Sequence, residues 1–486
     1  MNAARASALA LATALAAPTA FAVSLNPNGI GEVLIYPYYT VNKDQDTLIS
    51  IVNTSDTGKI VGVFVMEGYN GRSVLDFNLM LSPHDVWTAA ISAAGGDDGG
   101  AMLRTSDTSC TDPGIPAQGV AFRSAAYDGS SVLPADQGPQ GITRTREGSI
   151  AVIARGDIDP ASDLAQATTH VQNDVPGGGV PPGCGDINDA MISAGVVAPT
   201  NGLSGSGTII NVGLGTFFAY NADAIANYSD TSLYTPASNL FQPFVDANSE
   251  EATHGVARSY SPNANGQPVI ADWAFGVDAV SAVLMADSIY NEYLVSHTLG
   301  ASTDWVITFP TKAMYTDDLF GAVPFPPFVE TFHAPGESNV VATANIYDRE
   351  EGSGALYVCE PPICAQPPAL RYEVNVLGFG NSSTSDTSPV ASPVLGSHLQ
   401  PFELPSTGDS GHVAMDLASG DAGHYLPGGV DPNGGEIILQ GLPVVGFMVY
   451  NIINTNAQPG LLANYGGLFA HKATTSCVGA APCPSR

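Results

Sequence analysis

Between residues 73 and 81 apolar side chains recur on alternate positions: Leu75, Phe77, Leu79 and Leu81 share one face, and Val74, Asp76, Asn78 and Met80 share the other. A period of two belongs to a β-strand, and the polar members of the second set predict a face open to water. The same reading extends over residues 31–93. Leu34, Tyr36 and Tyr38 alternate in a first predicted strand, residues 47–53 form a second that ends in Asn53-Thr54-Ser55-Asp56, and residues 59–67 form a third. Asn70-Gly71 then predicts a tight hairpin, because both residue types accept a positive φ. Residues 86–91 close the set after Pro83. Short strands with turn signals about every eight to twelve residues fit an antiparallel β-sandwich.

From Gly95 the pattern loosens. Gly-Gly-Asp-Asp-Gly-Gly at 95–100 opens a stretch rich in Gly, Pro, Ser and Asp, interrupted by a predicted strand at 149–154 and helices at 161–170 and 187–194. A hairpin over Gly213-Leu214-Gly215 joins predicted strands at 208–212 and 216–220, and a short helix is predicted at 222–228. The best helical pattern spans 278–294, where Val280, Val283, Leu284, Tyr290 and Leu294 form one stripe with Asp278 as N-cap. Residues 305–309, 339–347, 370–377, 412–417, 436–439, 444–453 and 465–471 read as strands. The expected fold is mainly β: one or two antiparallel β-sandwiches with a helix-containing, loop-rich insertion. Its parts are sandwich strands over 23–94, the insertion over 95–300, and a C-terminal β region over 301–486 that can complete the N-terminal sandwich.

The first 22 residues predict a secretory signal peptide: Arg5, an uncharged apolar run over 6–17, Pro18, and the small-x-small site Ala20-Phe21-Ala22. The mature chain is expected to begin at Val23. The run is shorter than the roughly 20 residues a membrane span needs, and the later apolar stretch 437–453 is broken by Gly441, Pro443 and Gly446. The mature chain is therefore expected to lack a transmembrane segment. Its six cysteines, an even number in an exported chain, predict disulfides. By proximity Cys359 pairs with Cys364 and Cys477 with Cys483, which leaves Cys110 with Cys184. Fifteen basic residues against 46 acidic ones give a net charge of −31, a field that repels nucleic acid and anionic membranes.

Two stretches carry a resemblance: GEVLIYPYYTV at 31–41 with the strand after it, and TDWVITFPTK at 303–312 preceded by Asn291-Glu292-Tyr293. With Leu75-Asp76-Phe77-Asn78-Leu79 and Leu81-Ser82-Pro83, they resemble a family of uncharacterised exported proteobacterial cell-surface proteins. The resemblance covers most of the mature chain. It implies a surface location and a shared β-rich fold, and carries over no site residues.

Candidate chemistry is sparse. Gly408-Asp409-Ser410-Gly411 has the look of a serine-protease nucleophile loop, but His412 follows where that loop has Gly, so a polar turn before a strand is expected. Arg155-Gly156-Asp157 spells an adhesion tripeptide and is read as a strand-end turn, with Asp159-Pro160 as cap and first residue of the next helix. Calcium is a possible cofactor, since Asp431, Asn433 and Glu436 on one loop and Asp186, Asn188 and Asp189 on another offer clustered oxygens, although both also suit turns. His412, Asp416 and His424 do not have metal-ligand spacing on a strand. Trp87, Trp273 and Trp305 sit in apolar segments that suit a core better than a sugar platform. These features together predict a structural or adhesive, non-catalytic role at the cell surface or outside the cell, with the periplasm as the alternative location. Expected partners are other surface or matrix components, or a second copy. A calcium-dependent carbohydrate- or ligand-binding module is the second class and a secreted hydrolase the third.

Overall fold

The computed structural model describes residues 22–171, 179–236, 243–247, 257–263, 265–296, 298–320, 325–355, 369–380, 391–419, 423–455 and 457–484. The signal-peptide residues before Ala22 and the Cys359–Cys364 pair lie outside them. The chain is mainly β, as its periodicity predicts, and its strands form several sheets that are almost wholly antiparallel.

The largest sheet is organised around strand Glu147–Ile158, all 12 residues of which are buried. It pairs antiparallel with Val33–Thr40 on one side and with Gly58–Glu67 on the other. The sequence predicts only 149–154 here, inside a loop-rich stretch. The strand runs on because its polar residues find partners. Asp157 accepts from Lys59 Nζ at 2.6 Å and from the Thr200 hydroxyl at 2.5 Å, and Arg155 donates to Asp246 at 2.9 Å. Arg155-Gly156-Asp157 is therefore interior strand and not a turn at its end, with Arg155 2% and Asp157 4% exposed.

Beyond Val33–Thr40 this sheet continues through Asp223–Ala226, Val23–Leu25, Ala257–Pro262, Pro268–Trp273, Tyr425–Val430, Glu436–Gln440 and Cys477–Gly479. The helix expected at 222–228 is thus the strand Asp223–Ala226, held between Val23–Leu25 and Val33–Thr40. A second sheet orders Thr216–Asn221, Leu203–Asn211, Asp46–Asn53, Val86–Ala93, Ala101–Arg104 and Val120–Ala121, and includes the hairpin predicted over Gly213-Leu214-Gly215. Two five-stranded sheets follow. One runs Ser353–Ala355, Thr343–Asp348, Ser410–Asp416, Ser288–Leu294, Lys472–Thr474, and the other Leu404–Pro405, Val374–Gly380, Ala301–Thr308, Val445–Ile452, Tyr465–Ala470.

Two large cores share walls. Strand Ala301–Thr308 sends Val306 into one core, with Leu34, Tyr36, Val63 and Trp87, and sends Trp305 and Ile307 into the other, with Val33, Phe64 and Trp273. All three tryptophans are at most 1% exposed, as expected of core residues. Burying a side chain of this kind contributes about 1.5–3 kcal/mol, so strands covered on both faces anchor the architecture.

The predicted wet face of strand Ser73–Leu81 is covered. Met80 packs with Ile60, Ile158, Leu164 and Ile192 beneath helices Asp163–Thr168 and Asp189–Gly195, and Asn78 donates to the Thr235 carbonyl. The first helix is capped by the Ser162 hydroxyl, which accepts from Ala165 N, and not by Asp159; Asp163 occupies its first turn as expected. The turn before strand Ser73–Leu81 spans 68–72, with Gly71 alone at positive φ (+65°). The helix expected over 278–294 stops early: Gly276–Leu284 is helical, Phe275 stands at its N-cap, and Ser288–Leu294 is a strand. In that strand Ile289, Asn291 and Tyr293 face inward, a period of two that outcompetes the helical stripe once strand Ser410–Asp416 is alongside.

Disulfides Cys110–Cys184 and Cys477–Cys483 form as the sequence predicts. The first closes a loop of 74 residues that contains helix Asp163–Thr168 and ends just before helix Asp189–Gly195, and the second closes a loop of six. Because a cross-link restricts the unfolded chain more when its loop is longer, Cys110→Ser with Cys184→Ser is expected to lower stability by about 4 kcal/mol, and the Cys477/Cys483 pair by about 2 kcal/mol. Urea denaturation of the two double variants checks both values.

Candidate functional site

The residues nominated from sequence are mostly engaged by their own local structure. Asp431 Oδ1 accepts from Asn433 N at 2.8 Å and from its side-chain amide at 2.9 Å, closing the turn between Tyr425–Val430 and Glu436–Gln440. Asn188 caps helix Asp189–Gly195 by accepting from Met191 N, while Asp189 accepts from the Tyr234 hydroxyl and Asp186 ends a short 3-10 turn. Among the described residues no three His, Cys, Asp or Glu side chains converge as a metal site. Ser410 opens a strand opposite Leu294, the polar-turn-then-strand arrangement expected of Gly408-Asp409-Ser410-Gly411. His424 is buried with Nδ1 3.0 Å from the Pro327 carbonyl, apart from the exposed His412.

A large cluster of ionisable groups is internal. Arg144 donates to Glu67 through Nε at 2.7 Å and to Asp136 through Nη2 at 2.6 Å, and its guanidinium lies 4.2 Å from the Tyr127 ring centre. Arg72 clasps Asp317 with two bonds of 2.8 Å, and Asn70 bridges Asp317 and Asp136. Burial alone would raise the Asp136 carboxyl, but the Arg144 hydrogen bond and charge hold it below its ordinary value. Nearby, burial pulls the Lys312 ammonium down to about 7 against the opposing charge of Glu373, while Lys312 Nζ donates to the Ser338 carbonyl at 2.6 Å. Burial also raises Asp304 to about 6, against hydrogen bonds from Ser392, Leu395 and Val394 to its Oδ2. These contacts tie the turn at 68–72, the segment around Asp136 and the residues after Thr308 into one knot. All of it is sealed from solvent.

Open hollows lie elsewhere, one of 440 Å³ beside Lys43, Arg146 and His398 and a larger one on another face. A trough of 720 Å³ lies along the outer face of strand Ser288–Leu294, where Tyr290, Glu292 and Leu294 alternate outward and His412 sits opposite Glu292. One side is formed by Tyr450 and Phe469, whose rings lie within 7° of parallel at 6.4 Å. Strands Val445–Ile452 and Tyr465–Ala470 set this pair, placing Tyr450 opposite Gly467 and Phe469 opposite Met448. Gly467 is required between them. A Cβ there would come within 2.7 Å of Tyr450 and 3.0 Å of Phe469, so the two rings lie over bare backbone. Asp348, Arg349 and Lys472 complete the rim; Arg349 pairs with Glu350 at 3.2 Å, and the His412 ring stacks on Tyr347 at 4.8 Å.

This arrangement presents aromatic faces beside exposed donors and acceptors, in a volume within the range of roughly 300–1,000 Å³ usual for ligand sites. Compared with protein-family models, curated proteins and solved structures, the chain matches none. The sequence predicts the strands at 412–417, 444–453 and 465–471 that build the trough, but not that Tyr450 and Phe469 share a face. The available signal was the Tyr465-Gly-Gly-Leu-Phe469 spacing, which puts Gly467 and Phe469 on one side of a strand.

Replacing Arg144 by Met leaves Glu67 and Asp136 buried without their guanidinium, with an expected loss of about 3–5 kcal/mol in urea denaturation. Arg144→Lys restores little of it, since one ammonium cannot match two carboxylates in a fork. A second outcome concerns pH. Asp304 keeps its proton to about 6 in the folded chain but loses it near 4 when unfolded, so its contribution to stability is full below pH 4 and lost as pH rises to about 6. Urea midpoints between pH 4 and 7 are expected to fall less steeply with rising pH in Asp304→Asn than in the parent chain.

Proposed function

We propose that the chain is an exported, non-catalytic surface protein with a structural or adhesive role, and that the trough beside Tyr450 and Phe469 is its contact face. The observation that carries this reading is the separation of two kinds of side chain. Glu32, Asp278, Asp304, Lys312 and Glu373, all displaced by burial, are enclosed in the interior, and Lys43, Asp76, Asp223 and Asp318, which burial also displaces, lie away from the trough. The trough instead displays aromatic rings beside polar side chains, which suit binding.

Export is supported by the signal pattern before Val23, by the family resemblance at 31–41 and 303–312, and by two disulfides, which persist in oxidising compartments. No helix among the described residues is long and apolar enough to cross a membrane. Assembly by donating residues 23–41 to a neighbour is disfavoured, because Val23–Leu25 is paired on both sides within its own chain and Val33–Thr40 lies inside the largest sheet. The partners of this reading are other surface or matrix components.

Fractionation of expressing cells, followed by crosslinking to neighbours on intact cells, tests the proposal. The expected product starts at Val23, is reached by protease added outside the cell and contains no free thiol. Six free thiols and an intact Met1 would overturn it, and turnover of esters, glycans or peptides by the purified chain would overturn its non-catalytic part.

A further inference from the structure

We infer that the trough is a saccharide-binding site for an uncharged oligosaccharide built of hexopyranoses, an inference that rests on the contact-face reading above. Three observations lead there. The floor offers little backbone to a ligand: Ser288–Leu294 is paired with Ser410–Asp416 along its length and with Lys472–Thr474 over residues 288–290, Trp305 Nε1 donates to Glu292 O, Leu294 exchanges bonds with the Thr303 hydroxyl, and Val445–Ile452 is paired with Ala301–Thr308 and Tyr465–Ala470. An extended peptide adding itself as a strand needs unpaired N–H and C=O groups, so recognition at this floor must run through side chains.

Those side chains suit a sugar. Tyr450 and Phe469 present nearly parallel rings, and Phe469 is 54% exposed although burial would be worth far more to it in isolation. The electron-rich face of an aromatic ring attracts the polarised C–H groups on one side of a pyranose. Around the rings, Glu292 only accepts, Arg349 and Lys472 only donate, and His412 can do either. A hydroxyl both donates and accepts, so a row of sugar hydroxyls can satisfy this mixed set, which an anion or a cation could satisfy only in half.

The charge distribution points the same way. Lys59, Arg72, Arg144, Arg146, Arg155, Arg258 and Lys312 are buried, so seven of the fifteen basic residues are withdrawn from the surface of a chain at −31. Arg349 and Lys472 nevertheless stand at the trough with Glu292 and Asp348, Arg349 also pairing with Glu350. An acidic polymer would be repelled by the rest of the surface, whereas an uncharged one approaches without penalty.

The mature full-length chain with its disulfides intact is titrated with cellohexaose, maltohexaose, mannohexaose and N-acetylchitohexaose by calorimetry. At least one is expected to bind. Phe469→Ala and Glu292→Gln should each weaken that binding roughly tenfold without lowering the melting temperature, Phe469→Trp should restore it, and Phe217→Ala, at an exposed ring outside the trough, should leave it unchanged. The proposed contacts use side chains alone, so binding should survive EDTA. No binding of any probe at millimolar concentration, binding that Phe469→Ala and Glu292→Gln leave intact, or binding abolished by EDTA overturns the inference. Concentration-dependent dimerisation lost in Phe469→Ala, without sugar binding, overturns it in favour of a second copy. Failure here leaves the surface reading standing if the chain is oxidised and reached from outside the cell; a cytosolic chain with free thiols sinks that reading whatever it binds.

Discussion

Backbone pairing inside a water-free interior is the constraint from which the remaining architecture follows. Strand Glu147–Ile158 is buried on both faces, so each of its N–H and C=O groups must find a partner in a neighbouring strand. Val33–Thr40 and Gly58–Glu67 supply most of those partners, and Glu32, Leu233 and the short strand Val196–Val197 serve its last residues. At its first residue the strand also gathers distant chain: the Glu147 carboxylate accepts from the Tyr38 hydroxyl at 2.7 Å, the Ser397 hydroxyl at 2.5 Å and His398 N at 2.8 Å. Ser397, 250 residues further along the chain than Glu147, is thereby bound to the same carboxylate as Tyr38.

A chain this acidic spends its few cations with care. Arg144 lies between Glu67 and Asp136, Lys59 against Asp157, and Arg72 against Asp317, each with side chains almost wholly enclosed. Such pairs add little net stability over apolar packing, but losing one partner leaves a charge stranded in the core. They therefore act chiefly to specify which loops meet. Each withdrawn cation takes at least one carboxylate inside with it, so the surface stays strongly acidic and the two cations at the trough, Arg349 and Lys472, stand apart from it.

Legibility in the sequence varied with the range of the interactions involved. Strand Ser73–Leu81 and the Leu203–Asn211/Thr216–Asn221 hairpin were readable because alternation and turn residues are local signals. The segment 285–294 was misread because Tyr290 and Leu294 fit a helical stripe as well as they fit a strand. Only the presence of Ser410–Asp416, more than a hundred residues later, decides between them. The wet face assigned to Met80 and Asn78 failed for the same reason: its cover comes from helices at 163–168 and 189–195. At the trough, the strands at 412–417, 444–453 and 465–471 were legible, but strand Ser288–Leu294 along its floor and the pairing of Tyr450 with Phe469 were not, since both depend on which distant strand lies alongside.

By itself the sequence determined a β-rich chain, the location of most strands, the interior place of the three tryptophans, and two of its cysteine pairings. These follow from side-chain period, apolar context and proximity along the chain, all of which are properties of short stretches. Tertiary structure alone decided that Arg155-Gly156-Asp157 is interior strand, that residues 147–158 form the middle of the largest sheet, and that Glu292, His412, Tyr450 and Phe469 border one hollow. Each of these depends on which distant strand lies alongside, and a hydrogen-bond ladder between strands leaves no mark on either strand's own sequence.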